Sequence, residues 1–294
     1  MLTVVVGLSS AIVFGVADFL GGMSSKRLGA VLATGVAAAT GIVLFVALAL
    51  VLPGTLSTEA LAFGALSGVL GAIAIGLLYA CLAIGPMSIL SPLTAVVSAI
   101  VPLGVAIADG ETIPTVGWIG LAIGLVAIVL VGVIKEERAV RPTIRGLLMA
   151  VGSGIAIGGF LIVIDRAPDD SGVWPMIANR ATNATIMLTL AAVLALIALA
   201  RSRRSGVRRE RRSAEAWRRG LLLAVVCGVV DALANAGLLL GVRIGDLSVM
   251  AVLTALYPIG TIALARVVLK ERIALLQYVG LALALVASAL LALA

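Results

Sequence analysis

The chain has 294 residues, of which 62% are hydrophobic and 12% charged, against roughly 45–50% and 25% in ordinary soluble domains. That excess excludes a soluble globular protein, and because the apolar residues come in long runs without alternation the pattern argues against a membrane β-barrel. The net charge of +7 is concentrated in a few breaks between apolar runs, where it sets topology and carries no implication of nucleic-acid binding.

Ten apolar runs follow in chain order, at about 3–22, 30–52, 60–84, 87–108, 114–134, 144–164, 174–200, 220–241, 247–269 and 274–293. Each is about 20 residues or slightly more, enough to cross a ~30 Å hydrocarbon core as a helix. The first run lacks a basic leader and is followed by Lys26-Arg27, so it reads as an uncleaved transmembrane helix and not as a signal peptide. The breaks carry Pro, Gly and charge: Pro53-Gly54, Gly85-Pro86, Asp109-Gly110, Ala167–Gly172 and Lys270–Arg272. The third-to-fourth and eighth-to-ninth connections are tight, which makes those helices antiparallel neighbours. Gly64, Gly68 and Gly71 share one face of the third run, and Gly117, Gly120 and Gly124 one face of the fifth. Small residues at this spacing let helices approach closely, within the chain or across a homodimer seam. Cys81 and Cys227 lie inside apolar runs as packing residues, with no disulfide or metal spacing.

The chain repeats itself. Sliding Gly245 onward back by 160 residues (245 − 85 = 160) pairs Gly245, Ser248, Leu253, Thr254, Ala255, Glu271, Ile273 and Gly280 with Gly85, Ser88, Leu93, Thr94, Ala95, Glu111, Ile113 and Gly120. The front of the repeat matches at a shift of 139 (146 − 7 = 139), where Gly7, Ala11, Gly15 and Arg27 meet Gly146, Ala150, Gly154 and Arg166. The difference, 160 − 139 = 21 residues, fits an insertion at Arg201–Arg219. Residues 1–140 and 141–294 are then two repeats of five spans each. Five is odd, so the two lie in opposite orientations, and inverted repeats place a ligand site near the bilayer midplane.

Lys and Arg set the orientation. One side holds Lys26, Arg27, Lys135, Arg138, Arg141, Arg145, the cluster Arg201–Arg219, Lys270 and Arg272. The other holds little beyond Arg166 and Arg243, with Glu59, Asp109, Glu111, Asp169 and Asp170. The basic side is expected to be cytoplasmic, with both termini outside. The Arg201–Arg219 cluster, which contains Trp217, is either a lipid-headgroup-binding segment or a plain topology anchor.

Polar residues inside the spans are the candidates for chemistry, because a charge at the bilayer centre is expensive and turns to a cavity or a partner. Asp231 sits mid-span in the eighth run with Asn235 one turn on. In the seventh, Met176, Asn179, Arg180, Asn183 and Met187 form one stripe, expected to line water, although Arg180 is near enough to the outer end to snorkel. Asp18 lies about five residues from the inner end of the first run, as an inner-gate or proton-coupling carboxylate or as an interfacial cap near Lys26. Arg180 and Asp231 come from sequential antiparallel spans at similar depth, and we expect them to interact. Milder candidates are Thr94 and Thr254, paired by the repeat, Tyr257, and Tyr79 at the end of the third run. Ser91-Pro92 and Tyr257-Pro258 place a proline inside the fourth and ninth helices and free a backbone carbonyl.

The second repeat also resembles a known family. Its G-x-x-S-V-x-x-x-L-T-A-L-Y-P from Gly245, A-R-x-x-L-x-E-R from Ala265 and Q-Y-V-G-x-A-L-x-L from Gln277 are similar to the second half of an EamA-type repeat of the drug/metabolite transporter superfamily. The first repeat departs from it, with Val97-Ser98 in place of Tyr-Pro and Asp109-Gly110-Glu111-Thr112 in place of L-x-E-R. The resemblance implies an all-α polytopic membrane protein of ten transmembrane helices in two inverted five-helix repeats. It implies a multi-pass transporter of the inner membrane, exporting amino acids or similar small metabolites by alternating access; the alternatives are efflux of lipophilic cations or drugs, and a membrane scaffold. Substrate-binding candidates are then Arg180, Asn179, Asn183, Asp231, Asn235, Tyr79, Thr94, Thr254 and Tyr257, with Asp18 and Asp231 for proton coupling. The fixed charge of Arg180 favours a substrate with a carboxylate or other anionic group. The expected partners are a small-molecule substrate and membrane lipid, with no cofactor and no metal. The chain contains no His, which removes His-dependent serine chemistry and zinc motifs, and no phosphate-binding G-x-x-x-x-G-K-[ST] loop. An enzyme is not expected.

Overall fold

The structure, a computed structural model, describes residues 2–108, 114–132, 142–205, 213–244, 256–271 and 275–293. Ten α-helices run through them: α1 (Leu2–Leu28), α2 (Ala30–Ala49), α3 (Thr58–Ile84), α4 (Met87–Ala108), α5 (Thr115–Gly132), α6 (Ile144–Asp165), α7 (Trp174–Ser205), α8 (Ala214–Ile244), α9 (Pro258–Val268) and α10 (Leu275–Ala292), with a 3-10 turn at Asp169–Ser171. There is no strand among the described residues. The expectation of ten full-length spans is met by six helices: α1, α2, α3, α6, α7 and α8 are long and apolar enough to cross a membrane. The other four hold shorter apolar stretches among the described residues. The molecule is an all-helical, multi-pass membrane protein.

Several helices outrun their apolar stretch. The first continues past Gly21-Gly22 to Leu28, with Lys26 and Arg27 in its last turn, where cations complement the helix dipole. Gly29, at φ 89°, then turns the chain. Helices α7 and α8 extend into the basic segment at Ser205 and Ala214, because Arg, Ala and Glu are good helix formers once the backbone has left lipid. Glu215 and Arg219 pair there one turn apart. Side-chain caps start two spans: Ser57 accepts from the Ala60 N–H at 3.0 Å and Thr143 from the Gly146 N–H at 3.1 Å, each satisfying a donor the helix cannot. Pro92 and Pro102 lie inside α4. Pro258 differs from expectation: it opens α9 after a turn at Leu256–Tyr257, a position where its missing N–H costs nothing.

Helix α1 packs on α8, α9 and α3; α3 on α6 and α7; α2 on α7 and α8; α4 on α6, α9 and α10; and α5 on α10. Glycines make the closest of these contacts. A Cβ on Gly64 would stand 2.5 Å from the Pro175 carbonyl oxygen, on Gly68 2.6 Å from that of Asn179, on Gly228 2.3 Å from that of Ala37, and on Gly15 2.4 Å from that of Tyr257. No side chain fits at such distances, so the Gly64–Gly68–Gly71 stripe seats α7 within the chain. Large apolar side chains point outward instead, among them Val43, Leu196 and Leu222, as lipid requires.

The ends are tied by polar contacts. Thr55 donates its N–H to the Asp170 carbonyl at 2.9 Å and its hydroxyl to the Asp170 carboxylate at 2.6 Å, which joins the α2–α3 and α6–α7 connections at one end. At the other, the Ser24 hydroxyl donates to the Gly220 carbonyl at 2.9 Å. There the Glu271 carboxylate, just past α9, accepts from the Met87 N–H at 3.1 Å, the Ser88 N–H at 3.1 Å and the Ser88 hydroxyl at 2.6 Å, capping α4 with charge where its dipole is positive.

Candidate functional site

Away from the helix ends, the described helices carry three charged side chains: Asp18 on α1, Arg180 on α7 and Asp231 on α8. Arg180 Nη2 lies 2.5 Å from Asp231 Oδ2, with both side chains mostly covered. The expected interaction is therefore direct, and the snorkelling alternative for Arg180 is set aside. Two small or flat surfaces on α2 make room for the guanidinium. Its carbon sits 5.9 Å from the centre of the Phe45 ring, a cation–π distance. Gly41 leaves open the space beside Arg180, where a Cβ would come within 3.7 Å of Cδ and 3.8 Å of Nε. Arg180 Nε is buried and has no hydrogen-bond partner among the described residues.

Asn179, Asn183 and Met187 of the α7 stripe are buried against its neighbours and Met176 is partly buried, contrary to the expected water-lined face. Asn179 donates to the Ser67 hydroxyl of α3 at 3.0 Å, and Ser67 in turn donates to the Gly64 carbonyl at 2.7 Å. Asn183 is 1% exposed, and its Oδ1 accepts no hydrogen bond from the described residues. A buried amide oxygen without a donor is costly, which marks Asn183 as a group with spare capacity. Met187 fills the space beside Gly76. The Asn235 amide donates to the Asp231 backbone carbonyl at 2.8 Å, a bond internal to α8.

Asp18 lies ten residues (28 − 18 = 10) before the end of α1. It is buried and lies within electrostatic reach of Asp231 on α8, Tyr79 and Cys81 on α3, Cys227 on α8 and Tyr257 before α9. Tyr79 is buried within α3 and not at its edge. Its ring covers Gly21, and its hydroxyl is 3.0 Å from Cys227 Sγ, which also donates to the Ala17 carbonyl at 3.2 Å. The Tyr257 hydroxyl is buried and has no hydrogen-bond partner among the described residues. Arg180 on α7 and Asp231 on α8 thus meet directly, while Tyr79, Cys227 and the Tyr257 backbone pack on the Gly15–Gly21 stretch of α1 that carries Asp18.

Two candidates stand elsewhere. The Thr94 hydroxyl lies 3.0 Å from the Leu90 carbonyl and 3.2 Å from that of Ala150, so its one proton is taken by backbone at the α4–α6 contact. Thr254 lies outside the described residues. Reading the sequence missed Phe45, Ser67, Cys227 and the Glu271 cap. The cap alone left a signal: Glu271 and Ser88 each have a counterpart, Glu111 and Ser248, at the 160-residue shift.

Residues 144–293, just over half of the chain, match the model of the EamA-like transporter family. No curated protein matches the chain.

Proposed function

Because the chain belongs to the EamA-like transporter family, transporters of the drug/metabolite superfamily, we propose that it is a secondary transporter exporting amino acids or similar small metabolites across the inner membrane by alternating access. The observation that carries this reading is the buried Arg180–Asp231 pair with Asp18 within electrostatic reach. Its members come from both halves of the chain, α1 against α7 and α8. Intramembrane charges drawn together at such a junction are the usual mark of a substrate or ion path.

Two inverted repeats of five helices are supported by the packing. Replacing each helix by the one five places later turns the α1–α8 contact into α6–α3, α3–α7 into α8–α2, and α4–α6 into α9–α1, and all six contacts are present. Repeat-matched glycines sit at matching contacts: Gly68 of α3 against Asn179 of α7 and Gly228 of α8 against Ala37 of α2 (228 − 160 = 68), Gly15 at Tyr257 and Gly154 at Val97. Arg180 and Gly41, counterparts at the other shift (180 − 139 = 41), face each other, as residues on a two-fold axis do. Alternating access then rocks one half against the other around the cluster. Asp18 and Asp231 are the carboxylates available to carry a coupling proton, with Arg180 holding Asp231. The side bearing Arg201–Arg219 faces the cytoplasm.

Reconstituted into liposomes, the protein is expected to move a radiolabelled amino-acid mixture when a pH gradient is imposed, and to move little without one. Flux equal to that of protein-free liposomes in both gradient directions would remove the transport reading.

A further inference from the structure

Resting on the alternating-access reading, we infer that the Glu271 carboxylate is a latch on the end of the bundle that carries Lys26 and Arg27. That end is shut while Glu271 holds the start of α4, and it opens when the carboxylate lets go. Two features of the packing point there. The first is a break in the symmetry of the repeats. Helix α1 packs on α3. Near this end Gly21 admits the Tyr79 ring, and a Cβ on Gly22 would meet Leu82 Cβ at 2.9 Å and Met87 Cε at 2.7 Å. The counterpart pair five helices on, α6 and α8, is not packed in this way among the described residues. In two inverted repeats the reversed arrangement, with α6 on α8 and α1 parted from α3, is the opposite state, and it opens the end that is shut here.

The second feature is the tie itself. Glu271 accepts from the Met87 N–H, the Ser88 N–H and the Ser88 hydroxyl, so it joins the second half of the chain to the first. It reaches α4 from a strained turn. Lys270 has φ 55°, a left-handed conformation that is costly for a residue with a side chain, and the Glu271 N–H returns to the Ala265 carbonyl at 3.3 Å. Strain of this kind gathers at switch segments. Met87, whose N–H Glu271 holds, is also the fully buried side chain that fills the space beside Gly22. The grip on α4 and the closure against α1 therefore meet in one residue. Two other ties join the halves, Ser24 to Gly220 at this end and Thr55 to Asp170 at the other. They link counterpart parts of the two repeats and are made together, so neither follows which end is shut. On release of the latch, water can take up the freed N–H groups at the start of α4.

Two measurements on the full-length protein test the latch. In the first, Met87→Cys is labelled in detergent by a water-soluble maleimide, with and without Glu271→Ala. Cys81 and Cys227 are buried, and the wild-type protein treated alike gives their background. Loss of Glu271 is expected to speed labelling roughly 5–30-fold, the change in open population that removal of a strong cap allows. In the second, Ser88→Cys with Glu271→Cys is joined by a short bis-methanethiosulfonate linker in proteoliposomes. Flux of the labelled amino-acid mixture is expected before linking, to vanish when the two are linked, and to return on reduction; either single variant treated alike keeps its flux. A cap that only stabilises α4 predicts that linking leaves flux unchanged, and that result would overturn the latch, as would equal labelling rates with and without Glu271→Ala. If the wild-type protein carries no flux either, the transport reading falls, and the labelling rates alone decide whether Glu271 holds this end shut.

Discussion

Breaking the Arg180–Asp231 pair from either side should cost more than removing it whole. Arg180→Met keeps most of the stem that lies along Gly41 and Phe45 but leaves Asp231 with its nearest cation gone. Asp231→Asn keeps the shape and strands the guanidinium. Stranding a buried charge costs ~3–5 kcal/mol, while replacing both partners by neutral groups is often close to neutral. The side chains are 11% and 15% exposed, so some water reaches them and the lower end applies. Each single variant is therefore expected to lose about 3 kcal/mol, or about 6–12 °C in Tm at 2–4 °C per kcal/mol. The double variant is expected to lose less than either single one, a coupling energy of at least about 3 kcal/mol. Thermal unfolding in one detergent, followed by tryptophan fluorescence for all four proteins, gives the cycle. Losses that add to within ~0.5 kcal/mol would refute this reasoning and return Arg180 to an independent, snorkelling role.

Three further outcomes are expected. Glu271→Ala removes three hydrogen bonds from the start of α4 and should lower stability by about 1–2 kcal/mol, near the top of the range for a lost cap, with Glu271→Gln intermediate; an unchanged Tm would show that the cap is not formed in the protein. Gly228→Leu places a side chain where a Cβ already meets the Ala37 carbonyl at 2.3 Å and should part α2 from α8, abolishing folded yield, whereas Gly104→Ala, with nothing within 4 Å, should be tolerated; equal yields would contradict the packing. Ser205→Cys should resist an impermeant thiol reagent added outside intact cells and react after permeabilisation, and labelling from outside would reverse the orientation.

Apolar runs marked where each helix begins and ends in lipid, but not where it ends as a helix. Hydropathy reports the hydrocarbon, while α1, α7 and α8 continue into water on Lys, Arg, Ala and Glu, which cost nothing there. The Arg180–Asp231 contact was legible because two adjacent antiparallel spans each carried one charge at similar depth, and few other partners existed. The bond from the Asn235 amide to the Asp231 carbonyl was not legible, because spacing of four residues does not say whether an amide turns to a side chain or to its own backbone; inside lipid the carbonyl one turn back is always at hand. The Tyr79–Cys227 contact left no mark in the sequence, since it depends on Gly21 admitting the ring between α1 and α3.

The central claim is that the buried charges are the transport site and not a structural staple. The doubly neutral variant, Arg180→Met with Asp231→Asn, separates the two, because it is expected to fold. Its uptake of the labelled amino-acid mixture into proteoliposomes, compared with that of the wild-type protein at matched incorporation and below both melting temperatures, is the direct measurement. The expected result is a folded protein whose gradient-driven flux falls to the protein-free background. A folded double variant with wild-type flux would contradict the claim.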